Sequence, residues 1–191
     1  MKKRSIFISV FSVLVIMLAF VVMPVQAKGK LVTLGAGTYK VGEDIKPGRY
    51  IITSTNGSGN VTDSKDLNII LGESADDDGG QIDSYTTYLP KGDKVKIEGI
   101  ESTVFTPVKK RKKMTTLHAG SWIVGKDIKP GTYTIKCVQG SGNLTTDDGD
   151  INEIIGTSAD DDSGQVTKVR AHLTKGQELT TDAEEIELIK K

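Results

Sequence analysis

The chain is poor in the residues that most often stabilise small exported proteins or carry their chemistry. Among 191 residues it has one cysteine, Cys137, and two histidines. A single cysteine cannot form an intramolecular disulfide, so the folded protein must be held together by its hydrophobic core. Aromatic residues make up 5% of the chain, with one tryptophan. That leaves little material for an aromatic platform that stacks on sugars.

The sequence also lacks the parts of familiar catalytic arrangements. It contains no Gly-x-Ser-x-Gly elbow, and His118 and His172 occupy unrelated positions in the repeat described below. A nucleophile with an adjacent base therefore has no visible components. These absences predict that the protein is not an enzyme, although a carboxylate-only hydrolase stays open as an alternative.

The one long hydrophobic run lies at the N-terminus. Three basic residues precede the apolar run Ile6–Val22, and Pro24 follows it. With Ala27 as the small residue before the scissile bond, this layout is typical of a helical secretory signal peptide. We expect residues 1–27 to be removed, which would leave no stable membrane span and a protein that is secreted or at the cell surface. A retained anchor is the alternative, because a span needs about 18 apolar residues.

The rest of the chain contains two copies of one sequence pattern. Residues 34–50 return as residues 117–133, at an offset of 83. After one inserted residue the offset becomes 84, and Ser-Ala-Asp-Asp-Asp recurs at 74–78 and 158–162. Because the similarity runs through nearly the whole of each unit, it predicts two tandem domains of ordinary size.

Both copies have the composition of small β domains. Runs rich in β-branched and aromatic residues alternate with clusters of glycine, proline, asparagine and aspartate, and Lys94–Glu98 alternates polar and apolar residues as a half-exposed strand does. We predict an all-β fold of two tandem, small, sandwich-like or barrel-like domains, the first copy at 28–107 and the second copy at 117–191. The basic segment 108–116 between them is predicted to be an exposed linker, because like charges resist burial.

Two features of the repeat predict loop geometry. Lys-Pro-Gly at 46–48 and 129–131 has the residues of a type II turn, in which glycine takes a positive φ. Asp44 and Asp127 precede these turns, where a short carboxylate can accept backbone N–H bonds and hold the loop. We interpret both features as structural.

The repeat resembles one found in a family of exported proteins. A glycine–aromatic pair, the phrase Val-Gly-x-Asp-Ile-x-Pro-Gly-x-Tyr and a Gly-Ser-Gly turn are similar to a tandem β-repeat of uncharacterised exported proteins and lipoproteins of Gram-positive bacteria. The resemblance covers nearly all of both copies and implies an exported β domain, but it supplies no catalytic residues. No cysteine lies near Ala27, so the lipid anchor of the lipoprotein members is not implied.

Three consecutive aspartates in each copy are the best candidates for a ligand site. The six residues are Asp76, Asp77, Asp78, Asp160, Asp161 and Asp162. Calcium prefers oxygen ligands and is abundant outside cells, so it is the candidate cofactor, although the EF-hand alternates its ligands and closes with glutamate. A solvated loop that protects a sheet edge is the favoured interpretation. A small secreted hydrolase or inhibitor that uses these loops is the alternative function.

The basic segment is the candidate contact with an anionic partner. Cations near an anionic surface contribute about 1 kcal/mol each, so a cell-wall polymer or another anionic surface would suit Lys109, Lys110, Arg111, Lys112 and Lys113. A plain spacer is the favoured interpretation. Nucleic acid is not expected, because removal of the leader's three basic residues from a chain with 25 of each sign leaves a formal charge of −3. The sequence therefore predicts an exported binding or structural module whose ligand it does not identify.

Overall fold

The computed structural model describes residues 29–191, and every regular element in that range is a β-strand. This confirms the all-β class. The predicted signal peptide and its cleavage after Ala27 lie outside the described residues. In the part of the chain that the structure describes, no helix is long and apolar enough to cross a membrane.

The strands of the two copies occur in the same order. Those of the first copy are β1 (Val32–Leu34), β2 (Gly37–Lys40), β3 (Gly48–Thr62), β4 (Asn68–Leu71), β5 (Gln81–Ile82), β6 (Ser84–Leu89) and β7 (Lys94–Pro107). Those of the second copy are β8 (Thr116–Ile123), β9 (Gly131–Gln139), β10 (Ser141–Thr146), β11 (Asn152–Gly156), β12 (Lys168–Leu173) and β13 (Glu178–Lys190). At the repeat offset, β8 covers the positions of β1 and β2, and β9 with β10 covers those of β3.

One long strand organises each copy. In the first copy β7 pairs antiparallel with β1, β2 and β3, and β3 also pairs with β4 and β6. In the second copy β13 takes the place of β7 and pairs antiparallel with β8, β9 and β10. Together the thirteen strands of the described residues form one sheet, because β6 of the first copy pairs with β8 of the second.

Each copy has its own hydrophobic cluster, and Ala119 of the second copy also packs into the first one. Tyr50 and Phe105 are fully buried in the first cluster, with ring centres 6.3 Å apart in an edge-to-face arrangement. Tyr133, Ile135 and Leu188 belong to the second cluster. Burying one such side chain stabilises a fold by roughly 1.5–3 kcal/mol. Separate clusters are what two domains would require, and independent folding of the copies stays a prediction.

The Gly-Ser-Gly segment of the first copy is part of a strand, so the turn implied by the resemblance is wrong there. The segment lies inside β3, whose register against β7 shifts at three places between Ser54 and Asn60. Gly57 has a φ of 84°, and a side chain at Gly59 would collide with the Glu98 carbonyl. Glycine therefore permits a bulge that lets the strand continue.

The positive φ predicted for the glycine of Lys-Pro-Gly is wrong for Gly48 and holds in sign for Gly131, although not with the geometry of a type II turn. Gly48 has no positive φ, and Gly131 has a φ of 151°, far from the roughly +80° of a type II turn. Within the Val-Gly-x-Asp-Ile-x-Pro-Gly-x-Tyr phrase, the equivalent glycines that have a positive φ in both copies are Gly42 at 105° and Gly125 at 93°. Each of these glycines opens a tight turn by donating its N–H to the carbonyl three residues later, at 2.6 and 2.7 Å. Proline and glycine were correct signs of a loop, but the bend comes earlier in the phrase.

The two aspartates of these turns accept backbone N–H bonds as predicted. Asp44 accepts the N–H of Lys40 at 2.8 Å, and Asp127 accepts the N–H of Ile123 at 2.9 Å. The same bond therefore holds the same turn in both copies.

The basic segment 108–116 is only partly the exposed linker that its charge predicted. The Met114 N–H donates to the carbonyl of Asp127 at 2.8 Å, and its side chain packs against the second cluster. The Arg111 guanidinium forms an ion pair with the buried Asp127 carboxylate. The opposite charge of Asp127 overcomes the resistance to burial that like charges impose on this segment. The four lysines of the segment are exposed, as predicted.

Candidate functional site

A cleft of about 990 Å³ lies where the two copies meet. The first copy lines it with β3, β6 and the loop 63–67. The second copy contributes β8, the end of β10 and the start of β13, and the connecting segment adds Val108, Lys109 and Arg111. Because both copies supply its walls, the cleft exists only while they are docked.

Strands β6 and β8 bring the copies together. A parallel bridge joins Thr86 to Gly120. The approach is so close that a Cβ on Gly120 would lie 2.9 Å from the Thr86 amide nitrogen and still closer to its carbonyl oxygen. The equivalent residue of the first copy, Gly37, would direct a Cβ only at the Tyr39 side chain. The shared glycine is therefore needed for docking in one copy alone.

Arg49 forms the polar centre of this junction. Its side chain is 7% exposed, and its guanidinium donates to the Ser121 carbonyl and lies 3.8 Å from the Asp127 carboxylate. The same group lies 4.9 Å from the centre of the Trp122 ring, which gives a cation–π contact. Burial lowers the pKa of Arg49 to about 10, while Asp127 opposes the decrease. The guanidinium is therefore charged at neutral pH.

Asp127 joins both arginines of the junction. Arg111 Nε donates to Asp127 Oδ1 at 2.6 Å, and the other arm of the guanidinium donates to Oδ2. Burial acts to raise the pKa of Asp127, but the hydrogen bonds from Arg111 and the Ile123 N–H and the charge of Arg49 outweigh it and lower the pKa overall. A bidentate pair of this kind is strong. One carboxylate thus links both copies and the segment between them.

Sequence reasoning missed this cluster and assigned Asp127 a turn role only. The repeat itself contained the signal, because Arg49 is a charged residue in one copy where the other has Thr132. The equivalent of Asp127, Asp44, is exposed. A residue that departs from a repeated phrase was therefore more informative than the residues that agree.

The cleft combines aromatic rings with charges of both signs. Tyr85 is buried in its wall, where burial raises the pKa of the phenol, and Tyr88 is 46% exposed. Apart from the two arginines, the charged side chains that line it are Lys65, Lys109, Lys126, Asp63, Asp66, Asp147 and Glu178. The Tyr85 hydroxyl stays protonated at neutral pH. The cleft can therefore present a stacking ring, cations and anions to one ligand.

The two aspartate triplets lie on loops in which the acidic side chains do not converge. The backbone of Asp76 bonds in both directions to Gln81, and that of Asp160 to Gln165. Ser163 Oγ donates to Asp160 Oδ2 at 2.7 Å, which lowers the pKa of Asp160. Between residues 29 and 191 no group of three acidic, histidine or cysteine side chains is placed to hold a metal ion. The geometry gives the calcium hypothesis no support, and an acid with a lowered pKa is unsuited to general acid catalysis.

The first acidic loop differs from the second because it contacts the other copy. A Cβ on Gly140 would lie 3.1 Å from Asp77 Oδ1. Burial raises the pKa of Glu184, and the nearby charges of Asp77 and Asp83 raise it further. The first loop is therefore a second point of contact between the copies.

The five basic residues predicted to contact an anionic partner fall into two groups. Lys109 and Arg111 line the cleft, but Asp127 already engages Arg111. The remaining three, Lys110, Lys112 and Lys113, are exposed and do not line it. Only Lys109 is both free of the Asp127 pair and placed at the cleft.

No family model matches the sequence, no curated protein matches it, and no solved structure is significantly similar to it. The resemblance to the repeat of exported Gram-positive proteins therefore stays a prediction.

Proposed function

We propose that the protein is an exported binding module whose ligand occupies the cleft between the two copies. One observation carries the proposal: both copies build this cleft, and it combines an exposed tyrosine, a buried phenol and charges of both signs. Ligand sites commonly lie between domains, where a few polar groups converge. The N-terminal segment with the layout of a signal peptide supports a location outside the cytoplasmic membrane.

The cleft is suited to an extended polar polymer of the cell envelope that carries anionic and cationic groups. Lys65, Lys109 and Lys126 would face phosphates or carboxylates, and Asp147 would face an ammonium group. The half-exposed Tyr88 offers a surface on which a sugar ring can stack. Nucleic-acid sites are more uniformly basic. A secreted hydrolase or inhibitor that uses the acidic loops is less well supported, because those carboxylates do not converge.

We also infer that the copies are two sandwich-like or barrel-like domains that fold separately and then dock. The two separate hydrophobic clusters support this. The fragments 28–107 and 108–191 should each unfold cooperatively, although less stably than the whole chain because each loses the junction. A fragment pair without cooperative unfolding would contradict the inference.

Binding is tested by calorimetric titration of residues 28–191 with teichoic acid and with soluble peptidoglycan glycans. Tyr88→Ala and Lys109→Ala should each weaken the binding of the active polymer about tenfold, which corresponds to about 1.4 kcal/mol. His172→Ala and Lys110→Ala are matched controls. His172 is the equivalent of Tyr88 in the second copy, and neither control residue lines the cleft. If all four variants bind equally, the cleft is not the ligand site.

A further inference from the structure

The first copy contains a buried carboxylate with an unsatisfied oxygen. Asp93 is 4% exposed, and among the described residues its Oδ2 has no hydrogen-bond partner. Its Oδ1 accepts bonds from the Ser64 hydroxyl and from the Lys94 N–H, the latter at 2.9 Å. A buried acceptor without a donor is costly. A proton on a neighbouring group, or a cation, would remove that cost.

The nearest group that can supply a proton to Asp93 Oδ2 is the carboxyl group of Asp63. Asp63 Oδ1 accepts the N–H of Lys65 at 2.8 Å and that of Leu67 at 3.0 Å. Ser64, the residue after Asp63, donates its N–H at 3.3 Å and its hydroxyl to Asp93 Oδ1, so the two carboxyl groups are neighbours, and each affects the pKa of the other. Two carboxylates are both acceptors, so they can bond only if one of them carries a proton. We call these two residues the carboxyl pair.

In the second copy, hydrogen-bond donors occupy the positions that are equivalent to the carboxyl pair. Thr146 takes the place of Asp63, and each donates its N–H at 3.0 Å to the residue that closes the loop, Ile151 or Leu67. Gln177 takes the place of Asp93, and its side-chain amide donates to Asp148 Oδ2 at 2.7 Å.

The amide of Gln177 and the hydroxyl of Thr146 both donate to Asp148, and these bonds lower the pKa of Asp148. One carboxylate is therefore satisfied by two donors in the second copy. In the first copy two carboxyl groups stand at the positions of those two donors.

We propose that Asp63 and Asp93 bind one proton between them and form a pH-responsive site beside the cleft. Calcium is a poorer occupant, because it needs six to eight oxygens and one oxygen of each carboxyl group already accepts bonds from the protein. The proposal is independent of the polymer proposed above, because it concerns the titration of the protein itself.

The environments of the two residues move their pKa values in opposite directions. Burial raises the pKa of Asp63, and the neighbouring Asp93 adds to the increase. Burial also acts to raise the pKa of Asp93, but hydrogen bonds from Ser64 and Asp63 outweigh it and lower the pKa overall. The two groups therefore titrate as a unit and share the proton.

The ionisable neighbours of the carboxyl pair connect it to the cleft. Lys65 and Asp66 follow Asp63 on the same loop, and Lys94 follows Asp93 at the start of β7. Tyr85 on β6 has a pKa to which the charge of Asp63 contributes. Asp63, Lys65, Asp66 and Tyr85 all line the cleft. Loss of the shared proton leaves two adjacent negative charges, one of them buried, and this strains the loop 63–67 that forms the cleft wall.

The difference in proton binding between the folded and unfolded states determines how the stability depends on pH. In the unfolded chain both aspartates titrate near pH 3.9. Compared with the two aspartates of the unfolded chain, the folded pair binds its first proton more tightly and its second proton less tightly. The contribution of the pair to stability is therefore greatest near that pH. It decreases as the pH rises through the raised pKa of Asp63, and also as the pH falls through the lowered pKa of Asp93.

The test is the thermal midpoint of residues 28–191 between about pH 4 and about pH 8. Asp63→Asn supplies a permanent amide donor to Asp93, so it should raise the midpoint at the upper pH by about 3 °C or more and have little effect at the lower pH. Asp66→Asn is the matched control, because it removes the same charge from an exposed position of the same loop. Asp93→Gln introduces the residue of the second copy and serves as a second variant if Asp63→Asn folds poorly.

Two results would overturn the proposal. The first is a pH profile in which wild type, Asp63→Asn and Asp93→Gln run parallel. The second is an increase in the wild-type midpoint in about 5 mM calcium at the upper pH, absent in matched sodium chloride and abolished by Asp63→Asn, which would assign the pair to a divalent cation instead.

Discussion

The two copies agree in their internal bonds and differ where they meet. Tyr50 donates its hydroxyl to the Lys46 carbonyl at 2.7 Å, and Tyr133 donates to the Lys129 carbonyl at 2.8 Å. The backbone bonds of the acidic loops also match. The shared residues therefore build the fold of each copy, whereas the junction adds Arg49, which occurs in one copy, to the shared residues Gly120 and Asp127.

The contrast is clearest in the equivalent strands β6 and β12, each of which lies at an edge of its own copy. β6 of the first copy has no charged residue, and Tyr85, Thr86 and Thr87 are buried beside the second copy. β12 of the second copy is not paired with another copy and places the charged or polar side chains of Lys168, Arg170 and His172 at its exposed positions. Basic residues on an edge strand discourage further pairing. The basic residues of β12 should therefore disfavour its pairing with a further strand.

Asp127 and Asp44 offer the largest test of this contrast, because both hold the same turn but only Asp127 joins the junction. Asp127→Ala leaves the buried Arg49 without a carboxylate, so it should cost about 3–5 kcal/mol in the free energy of unfolding. Asp44→Ala removes only an exposed backbone cap and should cost about 1 kcal/mol. Urea unfolding of both variants measures the difference.

A control separates the charge of Asp127 from its capping bond. Asp127→Asn keeps an acceptor for the Ile123 N–H and removes the charge that Arg49 and Arg111 require. It should resemble Asp127→Ala more closely than wild type. Equal losses for Asp127→Ala and Asp44→Ala would mean that the ion pairs contribute no net stability.

Gly120 and Gly37 offer a second matched pair, with an intermediate effect expected. Their φ angles are similar, 146° and 158°, so any backbone cost of an alanine is nearly equal at the two positions. Gly120→Ala forces a methyl group into the Thr86 backbone and should cost about 1–3 kcal/mol, as overpacking does. Gly37→Ala meets only the adjustable Tyr39 side chain and should cost less. The readouts are the unfolding midpoint and the fluorescence of Trp122 at the junction.

Local patterns of the sequence predicted the class of the fold because alternation and turn residues act over a few positions. Lys94–Glu98 is part of a strand, as its alternation indicated. The same patterns placed the bend at Gly48 when it occurs at Gly42, because proline and glycine indicate a loop without fixing which residue takes a positive φ. The length of β3 was also missed, since a bulge at Gly57 depends on its pairing with β7.

The cleft and the carboxyl pair depend on contacts between distant parts of the chain. Arg49 and Asp127 are 78 positions apart in the sequence, and no local pattern links them. The only sequence signal was the comparison of one copy with the other. Arg49 is equivalent to Thr132 in the repeat, and Asp93 is equivalent to Gln177. Differences within a repeat can therefore locate a site that its similarities conceal.

The acidic loops give the smallest expected effect. A calcium site with a dissociation constant near 1 mM would add about 1 kcal/mol at about 5 mM calcium, and it would raise the midpoint by several degrees. We expect a smaller shift, because the carboxylates of each triplet do not converge and Asp160 is already satisfied by Ser163. The two loops should also differ. Both Asp77 and its equivalent Asp161 are exposed, but the charge of Asp77 also acts on Glu184 of the other copy.

The loops are therefore best compared by Asp77→Asn and Asp161→Asn. Removing the charge of Asp77 relieves its repulsion of Glu184. Without calcium, Asp77→Asn should therefore increase the free energy of unfolding by less than about 1 kcal/mol and raise the midpoint slightly. Asp161→Asn should leave it unchanged. Any calcium-dependent shift should be reduced more by Asp77→Asn than by Asp161→Asn, because the first loop has additional carboxylates nearby. A shift of several degrees that both variants reduce equally, and that matched sodium chloride does not reproduce, would instead make the triplets metal sites in their own right.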